Sequence, residues 1–221
     1  MEEQNLNAAD KAIIAAEDDA AIKKEEERLN LPTTLPACVS SWRTHGNGTL
    51  KHKYFFDYYP YYLYKNKATP SIEYTWNLVW GFKCDGWGVS HAQYHWALET
   101  VIDLVEETLR STFGSMTKYL TLVCPPCNKN QGYRDFAKIV CQHLTMIDAY
   151  PHIQVAEDGC ENNDNNGIQT VSYDEIFFKG KYVVLFKDVY TKGKSLEIER
   201  RRMEGFGARV ICAMTIAQTT H

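Results

Sequence analysis

One short stretch, residues 182–195, limits most strongly what this chain can fold into. It begins with an apolar run, Tyr182–Phe186, reaches an acidic residue at Asp188, and turns through Thr191–Ser195 into a helix-compatible segment. A buried strand, a polar turn with glycine and the first turn of a helix together bring backbone N–H groups to one place, where the helix dipole favours an anion. The sequence therefore predicts a phosphate-binding turn.

The side chains of the turn suit phosphate but do not demand it. Thr191 and Ser195 add hydroxyl donors, and Lys192 and Lys194 add positive charge. An ordinary strand-to-helix turn explains the same residues, with Gly193 adopting a positive φ and Ser195 capping the helix. The residues alone leave both interpretations open.

Composition is typical of a globular protein. The 221 residues are 44% hydrophobic and 13% aromatic, enough for one α/β domain with an extension. A net charge of −4 argues against a general nucleic-acid-binding protein. No apolar run approaches the ~20 residues of a transmembrane helix, and the first residues lack a signal-peptide pattern. We therefore expect seven reduced cysteines, a cytoplasmic location and no membrane partner.

Residues 1–36 form a charged N-terminal segment and linker. Residues 8–30 are rich in alanine, glutamate and lysine and contain no glycine or proline, which predicts a helix that ends at Pro32 and Pro36. Its apolar stripe is thin, so we expect the helix to dock lightly or to mediate association into a homo-oligomer.

Residues 37–90 form an aromatic-rich extension or hood. Eight tyrosines and phenylalanines lie between residues 54 and 64. Residues 53–66 fit either an irregular strand or a helix broken at Pro60. These rings serve either as a core layer or as a platform on which a planar group stacks.

Residues 91–221 alternate between predicted helices and strands. Helices are predicted over 91–112, with Ser90 as N-cap, over 133–144 and over 194–206; strands are predicted over 117–123, 153–156, 182–186 and 208–215. The alternation predicts an α/β domain with a mostly parallel sheet flanked by helices. The turns after residues 123 and 186 are expected on one edge of that sheet. Residues 157–167, acidic and rich in asparagine, predict a mobile loop.

The stretch Val183–Ser195 resembles the phosphoribosyl pyrophosphate signature of type I phosphoribosyltransferases. That signature is four apolar residues, an acid, Asp, two apolar residues and Thr-x-Gly-x-Thr/Ser; one position differs, because Lys187 stands where the family has the first acid. Further segments are similar to the family or to its ComF-like, amidophosphoribosyltransferase-related branch: Phe82–Gly86, Leu122–Arg134, Lys179–Tyr182, Gly207–Val210 and Ile216–Thr219. The resemblance covers the chain from about Val101 onwards.

The resemblance implies transfer of ribose 5-phosphate from phosphoribosyl pyrophosphate to a nucleophile, with release of pyrophosphate and with Mg²⁺ bridging diphosphate and ribose hydroxyls. Asp188 would bind the ribose hydroxyls and the metal, and Arg134 would contact an anion. The ligand-binding residues it implies are Lys187, Asp188, Val189, Tyr190, Thr191, Lys192, Gly193, Lys194 and Ser195 at the phosphate turn, and Cys124, Pro125, Pro126, Cys127 and Asn128 at a pyrophosphate loop.

Two further expectations follow from the resemblance. Residues 157–167 would form a flap that closes over the site. The family also includes regulators with little transfer chemistry, so the alternative is a degenerate nucleotide- or phosphoribosyl-binding regulator, or a ComF-like protein linked to DNA uptake.

Cysteines and histidines raise the question of zinc. Cys124 and Cys127 have the spacing of redox and zinc sites, but no second such pair accompanies them. A second candidate set is Cys84, His91 and His95, with Cys38 or His45 as a fourth ligand. Ordinary polar surface explains these residues too, and we do not expect zinc.

The charged stretch Glu197–Arg202 also has two interpretations. It is either a solvated helix face on which Glu197 pairs with Arg200 or Arg201, or a basic strip for single-stranded DNA. The net negative charge of the chain favours the solvated face.

Overall fold

The structure, a computed structural model, describes residues 8–44, 49–83, 88–124, 131–155 and 171–220. The chain divides into two compact units, Met1–Cys38 and Val39–His221. No helix in the described part of the chain is both long enough and apolar enough to cross a lipid bilayer.

Seven helices and eight strands are described. The helices are α1 (Ala8–Cys38), α2 (Tyr61–Tyr64), α3 (Pro70–Lys83), α4 (His91–Phe113), α5 (Gln131–Leu144), α6 (Glu175–Phe178) and α7 (Lys194–Gly205). The strands are β1 (Arg43–Thr44), β2 (Lys51–Tyr58), β3 (Leu120–Val123), β4 (Ile147–Asp148), β5 (Ile153–Val155), β6 (Val171–Tyr173), β7 (Tyr182–Tyr190) and β8 (Arg209–Thr219).

In its described residues the first unit is the single helix α1. A helix over residues 8–30 is confirmed, but it continues through Pro32 and Pro36 to Cys38, so the predicted end is wrong. Each proline removes one N–H from the helical hydrogen-bond ladder. Two missing bonds are a small part of a 31-residue helix, and its remaining turns continue on both sides of the prolines.

The main sheet of the second unit has six strands in the order β1-β2-β8-β7-β3-β4. Only β1 runs antiparallel to its neighbour; the other four pairings are parallel. This confirms an α/β fold with a mostly parallel sheet flanked by helices. The strand predicted at 153–156 lies instead in a separate two-stranded antiparallel sheet, β5 with β6.

The aromatic stretch adopts both predicted conformations in turn. Its first part is β2, which pairs with β8 in the main sheet, and Pro60 separates it from the short helix α2. Helix α3 is not predicted by the sequence analysis, because aromatic residues favour strands. Trp76, Val79 and Phe82 nevertheless recur every three residues on its buried side.

The three predicted helices of residues 91–221 are confirmed as α4, α5 and α7. Ser90 caps α4, since its hydroxyl oxygen accepts a hydrogen bond from the N–H of Gln93 at 3.1 Å. The strand predicted at 117–123 begins only at Leu120, because residues 114–119 form a 3-10 helix.

Helices cover both faces of the sheet. Leu185 of β7 packs in a core cluster with Leu196 of α7. The next residue, Phe186, packs on the opposite side, with its ring centroid 5.8 Å from that of Phe82 in α3 and 4.1 Å from that of Phe136 in α5. We call these two sides the α7 face and the α3 face. Side chains of β7 alternate between them.

Candidate functional site

The predicted phosphate turn lies at the carboxyl edge of the main sheet. Strand β7 extends to Tyr190, beyond the predicted end at Phe186, and Thr191–Gly193 join it to α7. The parallel strands β2 and β8 end beside it, at Tyr58 and Thr219. Three parallel strands therefore present their carboxyl ends next to the turn, the usual place for a ligand in such sheets.

Gly193 sets the shape of the turn. It has a φ of 71° and is the N-cap of α7. A Cβ atom at this position would lie 2.7 Å from Cζ of Tyr190, so a side chain there would require the Tyr190 ring to shift. The predicted positive φ is confirmed. Ser195 is not the cap, and no side-chain cap serves the first-turn N–H groups of α7, which have no partner within the helix itself.

A pocket of about 530 Å³ opens between this turn and α2. It is lined by Tyr58, Pro60, Tyr62, Leu63, Thr191, Lys192, Lys194, Ser195 and Thr219. One wall is aromatic and apolar, the other carries hydroxyls and two lysines, and no acid is among these residues. The volume lies within the range of about 300–1,000 Å³ of small-molecule sites. Such a lining suits an organic anion, with its phosphate at the lysines and a ring at the tyrosines.

Lys187 lies on the α7 face, beneath the turn. Its Nζ donates a hydrogen bond to Oγ of Ser195 at 2.9 Å. Glu199, one turn further along α7, is buried and pairs with Arg202 at 2.7 Å. Burial raises the pKa of the Glu199 carboxyl, while the charges of Arg202 and Lys187 act to lower it. Lys187 thus interacts with a hydroxyl of the pocket and with a buried carboxylate.

Asp188 lies on the opposite, α3 face. Its Oδ2 is 2.8 Å from Nζ of Lys83, and its side chain is only 9% exposed. Its backbone N–H donates to the hydroxyl of Tyr133 at 2.8 Å, where β3 has already ended at Val123. Burial, and next the charge of Asp188, raise the pKa of the Tyr133 hydroxyl well above its usual value. The structure places the Asp188 carboxylate in a buried ion pair and not in the lining of the pocket.

The other residues of the signature have structural contacts. The Tyr190 ring stacks on that of His52, with centroids 4.7 Å apart. Val189 pairs with Ala217 of β8 through the backbone. The turn therefore contributes hydroxyls and lysines to the pocket, and the two residues before it hold β7 in the sheet.

Magnesium, which the resemblance implies, does not fit the residues described at this site. Mg²⁺ takes oxygen ligands, usually carboxylates, in proteins. The Asp188 carboxylate contacts the ammonium of Lys83, and its neighbour is a second cation, Lys187. Across the described ranges, no group of three or more His, Cys, Asp or Glu side chains is arranged to hold a metal ion.

The predicted pyrophosphate loop is described only at its first residue. Cys124 is fully buried, and burial raises the pKa of its thiol well above the usual value, as do Cys141 and Asp148 nearby. The residues Pro125, Pro126, Cys127 and Asn128, and the predicted flap at 157–167, lie outside the described residues.

Arg134 lies in the first turns of α5, with its side chain 59% exposed and Nε 3.9 Å from Oδ1 of Asp135. Its charge acts to lower the pKa of Tyr150, which burial raises. Arg134 is not in the lining of the pocket.

Two remaining candidates are partly described. Nε2 of His91 and Nε2 of His95 are 3.0 Å apart on the exposed start of α4, while Cys84 and His45 lie outside the described residues. On α7, Glu197 pairs with Arg200 at 2.7 Å and with Arg201 at 2.8 Å, which confirms the predicted ion pairs of this stretch.

Comparisons with known proteins give little more. No family model matches the chain, and no curated protein matches it. Among solved structures it is similar to a purine phosphoribosyltransferase from Pyrococcus horikoshii, with 17% sequence identity, 57% of this chain and 84% of that chain covered, and a TM-score of 0.35. A likeness at that TM-score carries no argument about function.

The sequence analysis misses several residues of the site. Tyr58, Pro60, Tyr62 and Leu63 form the apolar wall, and Lys83 neutralises Asp188. The aromatic stretch signals a stacking surface without saying what faces it. Lys83 belongs to the quoted segment Phe82–Gly86, yet nothing local connects it to Asp188.

Proposed function

We propose that this protein binds a phosphorylated pentose, either phosphoribosyl pyrophosphate or a nucleotide, in the pocket beside Thr191–Ser195. The observation that carries the proposal is the pocket itself, in which the signature's turn faces an aromatic wall across an open volume of about 530 Å³. The proposed function is thus a phosphoribosyltransferase-like binding protein.

Charge and hydrogen bonding support this ligand class. Lys192 and Lys194 line the pocket together with the hydroxyls of Thr191 and Ser195. The start of α7 adds its dipole and its first-turn N–H groups. The apolar wall, with Tyr58 and Tyr62, suits a planar ring or the face of a sugar.

Calorimetric titration with phosphoribosyl pyrophosphate and with a nucleoside monophosphate tests the proposal. We expect saturable binding that weakens about tenfold or more when Lys192 and Lys194 are both changed to alanine, because two charge-assisted contacts are lost. The matched control is Lys181→Ala, at the opposite end of β7, where Nζ lies 5.3 Å from the Phe177 ring centroid. Equal affinity in all three proteins would contradict this site.

Transfer of ribose 5-phosphate to a nucleophile is the second candidate function. The apolar wall favours it, because an acceptor ring would lie there beside the sugar. The ion pair of Asp188 with Lys83 weighs against it, since the family's acids bind the ribose hydroxyls. Release of labelled pyrophosphate with turnover would support transfer, whereas binding without turnover would support the regulator.

A further inference from the structure

At the end of β7, two adjacent charged side chains lie on opposite faces of the sheet. Lys187 and Asp188 are adjacent, and strand geometry sends their side chains to opposite sides of the sheet. Asp188 meets Lys83 on the α3 face at 2.8 Å. Lys187 meets Ser195 on the α7 face at 2.9 Å. The carboxylate that would hold a metal is thus turned away from the turn, and an ammonium group is turned towards it.

On the α7 face, Lys187 and Arg202 both act on the carboxyl of Glu199. Glu199 pairs with Arg202 at 2.7 Å, and the charge of Lys187 also acts to lower the pKa of its carboxyl. The Glu199 carboxyl thus interacts with two cations, Lys187 beneath the turn and Arg202 further along α7. Above the turn, Lys192 and Lys194 line the pocket, whose described lining includes no acid.

This arrangement of charges disfavours a divalent cation. In sites for phosphorylated ligands Mg²⁺ is held by one or two carboxylates together with phosphate oxygens, and it offsets the charge of the phosphate. Among the described residues no carboxylate lines the pocket, and like charges close to a metal ion raise its energy. Lysine ammonium groups supply the same compensation directly.

We propose that the pocket holds its phosphate without a divalent metal ion, and that Lys187 supplies the positive charge beneath the turn. This inference rests on the proposed function, since it specifies how the same pocket binds an anion. Lys187 acts through Ser195: its Nζ donates to the Ser195 oxygen, which leaves the Ser195 hydroxyl proton free to point to a phosphate oxygen in the pocket.

The test is titration of the protein with ribose 5-phosphate in excess EDTA and in excess magnesium chloride. We expect the two dissociation constants of the wild-type protein to agree within about twofold. Lys187→Met, which keeps most of the side-chain length and removes the charge, should weaken binding about tenfold in both buffers. Lys187→Arg should recover most of that loss, and Lys181→Met, at the other end of β7, should change nothing.

Each other outcome contradicts a different statement. Binding that requires magnesium overturns the inference and leaves the proposed function standing. Wild-type affinity for Lys187→Met in EDTA also overturns the inference. Absence of ribose 5-phosphate binding by the wild-type protein in both buffers overturns the inference, while the titrations with phosphoribosyl pyrophosphate and a nucleoside monophosphate decide the proposed function separately. If Lys187→Met fails to fold, as judged by circular dichroism, Lys187→Gln replaces it, and the wild-type comparison still decides whether a metal ion is needed.

Discussion

Lys187 and Asp188 are neighbours in sequence and belong to different parts of the molecule. Asp188, 9% exposed, contacts Lys83 on the α3 face, among the rings of α3 and α5. Lys187 contacts Ser195 on the α7 face, at the edge of the pocket. The comparison teaches that two adjacent residues of one strand can have separate roles, one in a buried ion pair with α3 and the other in a hydrogen bond at the edge of a pocket.

We expect the largest loss of stability from removing the ion pair on the α3 face. Asp188→Asn removes the carboxylate that neutralises the Lys83 ammonium at 2.8 Å. Breaking such a buried pair costs several kcal/mol, and the partial exposure of Lys83 places this case at the low end, about 3 kcal/mol. Urea unfolding of the two proteins measures the difference.

The neighbouring lysine provides the matched control for that measurement. Lys187→Met removes one hydrogen bond to Ser195, which itself lies at the exposed start of α7. We expect a cost below about 1 kcal/mol. Equal losses for the two variants would mean that the two faces do not differ as described.

Much of the fold follows from local patterns. The apolar spacing of α4, α5 and α7 and the apolar run of β7 are visible in the sequence, and the structure contains them. Helix α3 is missed because its tryptophans favour strands, whereas tertiary burial of Trp76 and Phe82 selects a helix. Strand β4 is missed because two residues carry no periodicity, and only pairing with β3 makes them a strand.

The site shows where sequence reasoning stops. The turn, its glycine and its lysines can be predicted, because a strand, a turn and a helix start are contiguous in the chain. The partner of Asp188 cannot be predicted, since Asp188 lies in strand β7 and Lys83 lies far away in sequence, at the end of helix α3. The apolar wall from α2 cannot be predicted from local sequence either, because only the pairing of β2 with β8 brings it to the turn.

We expect the next largest loss of stability from adding a side chain at the turn before α7. Gly193→Ala places a Cβ against the Tyr190 ring at a φ of 71°. Gly180→Ala is the matched control, because Gly180 has a φ of 73° and a Cβ there would meet nothing within 4 Å. We expect about 1 kcal/mol for Gly180→Ala from the backbone alone and about 2 kcal/mol for Gly193→Ala.

Thermal unfolding of the two glycine variants checks this difference. A lower ligand affinity should accompany Gly193→Ala alone, because only this substitution alters the turn beside the pocket. If both variants lose the same stability, the contact between Tyr190 and the turn has no energetic weight. In that case, adding Tyr190→Ala to Gly193→Ala should restore none of the lost stability. If the contact matters, the double variant should regain part of the stability that Gly193→Ala loses.

We expect the smallest effect on stability from two glutamates of α7, Glu197 and Glu199, which should make stability depend on pH in opposite directions. Hydrogen bonds from Arg200, and next from Arg201, lower the pKa of Glu197 to about 2, whereas burial raises the pKa of Glu199 above 4.5. The folded protein therefore holds a proton on Glu199 to higher pH than the unfolded chain, so Glu199 lowers stability as pH rises through that window. Glu197 does the reverse, since its contribution is present above pH 4.5 and is lost as pH falls towards 2.

Glutamine substitutions separate the two glutamates. Glu199→Gln should be as stable as the wild-type protein at pH 4.5 and below, where the Glu199 carboxyl is protonated. At pH 7 it should be more stable than the wild-type protein, because the amide buries no charge. Glu197→Gln should lose about 0.5 kcal/mol at neutral pH, the usual size of an exposed helical ion pair. That loss should shrink on acidification. Parallel stability curves for both variants across this pH range would contradict the assignment, because a buried and an exposed carboxylate on one helix must then titrate alike.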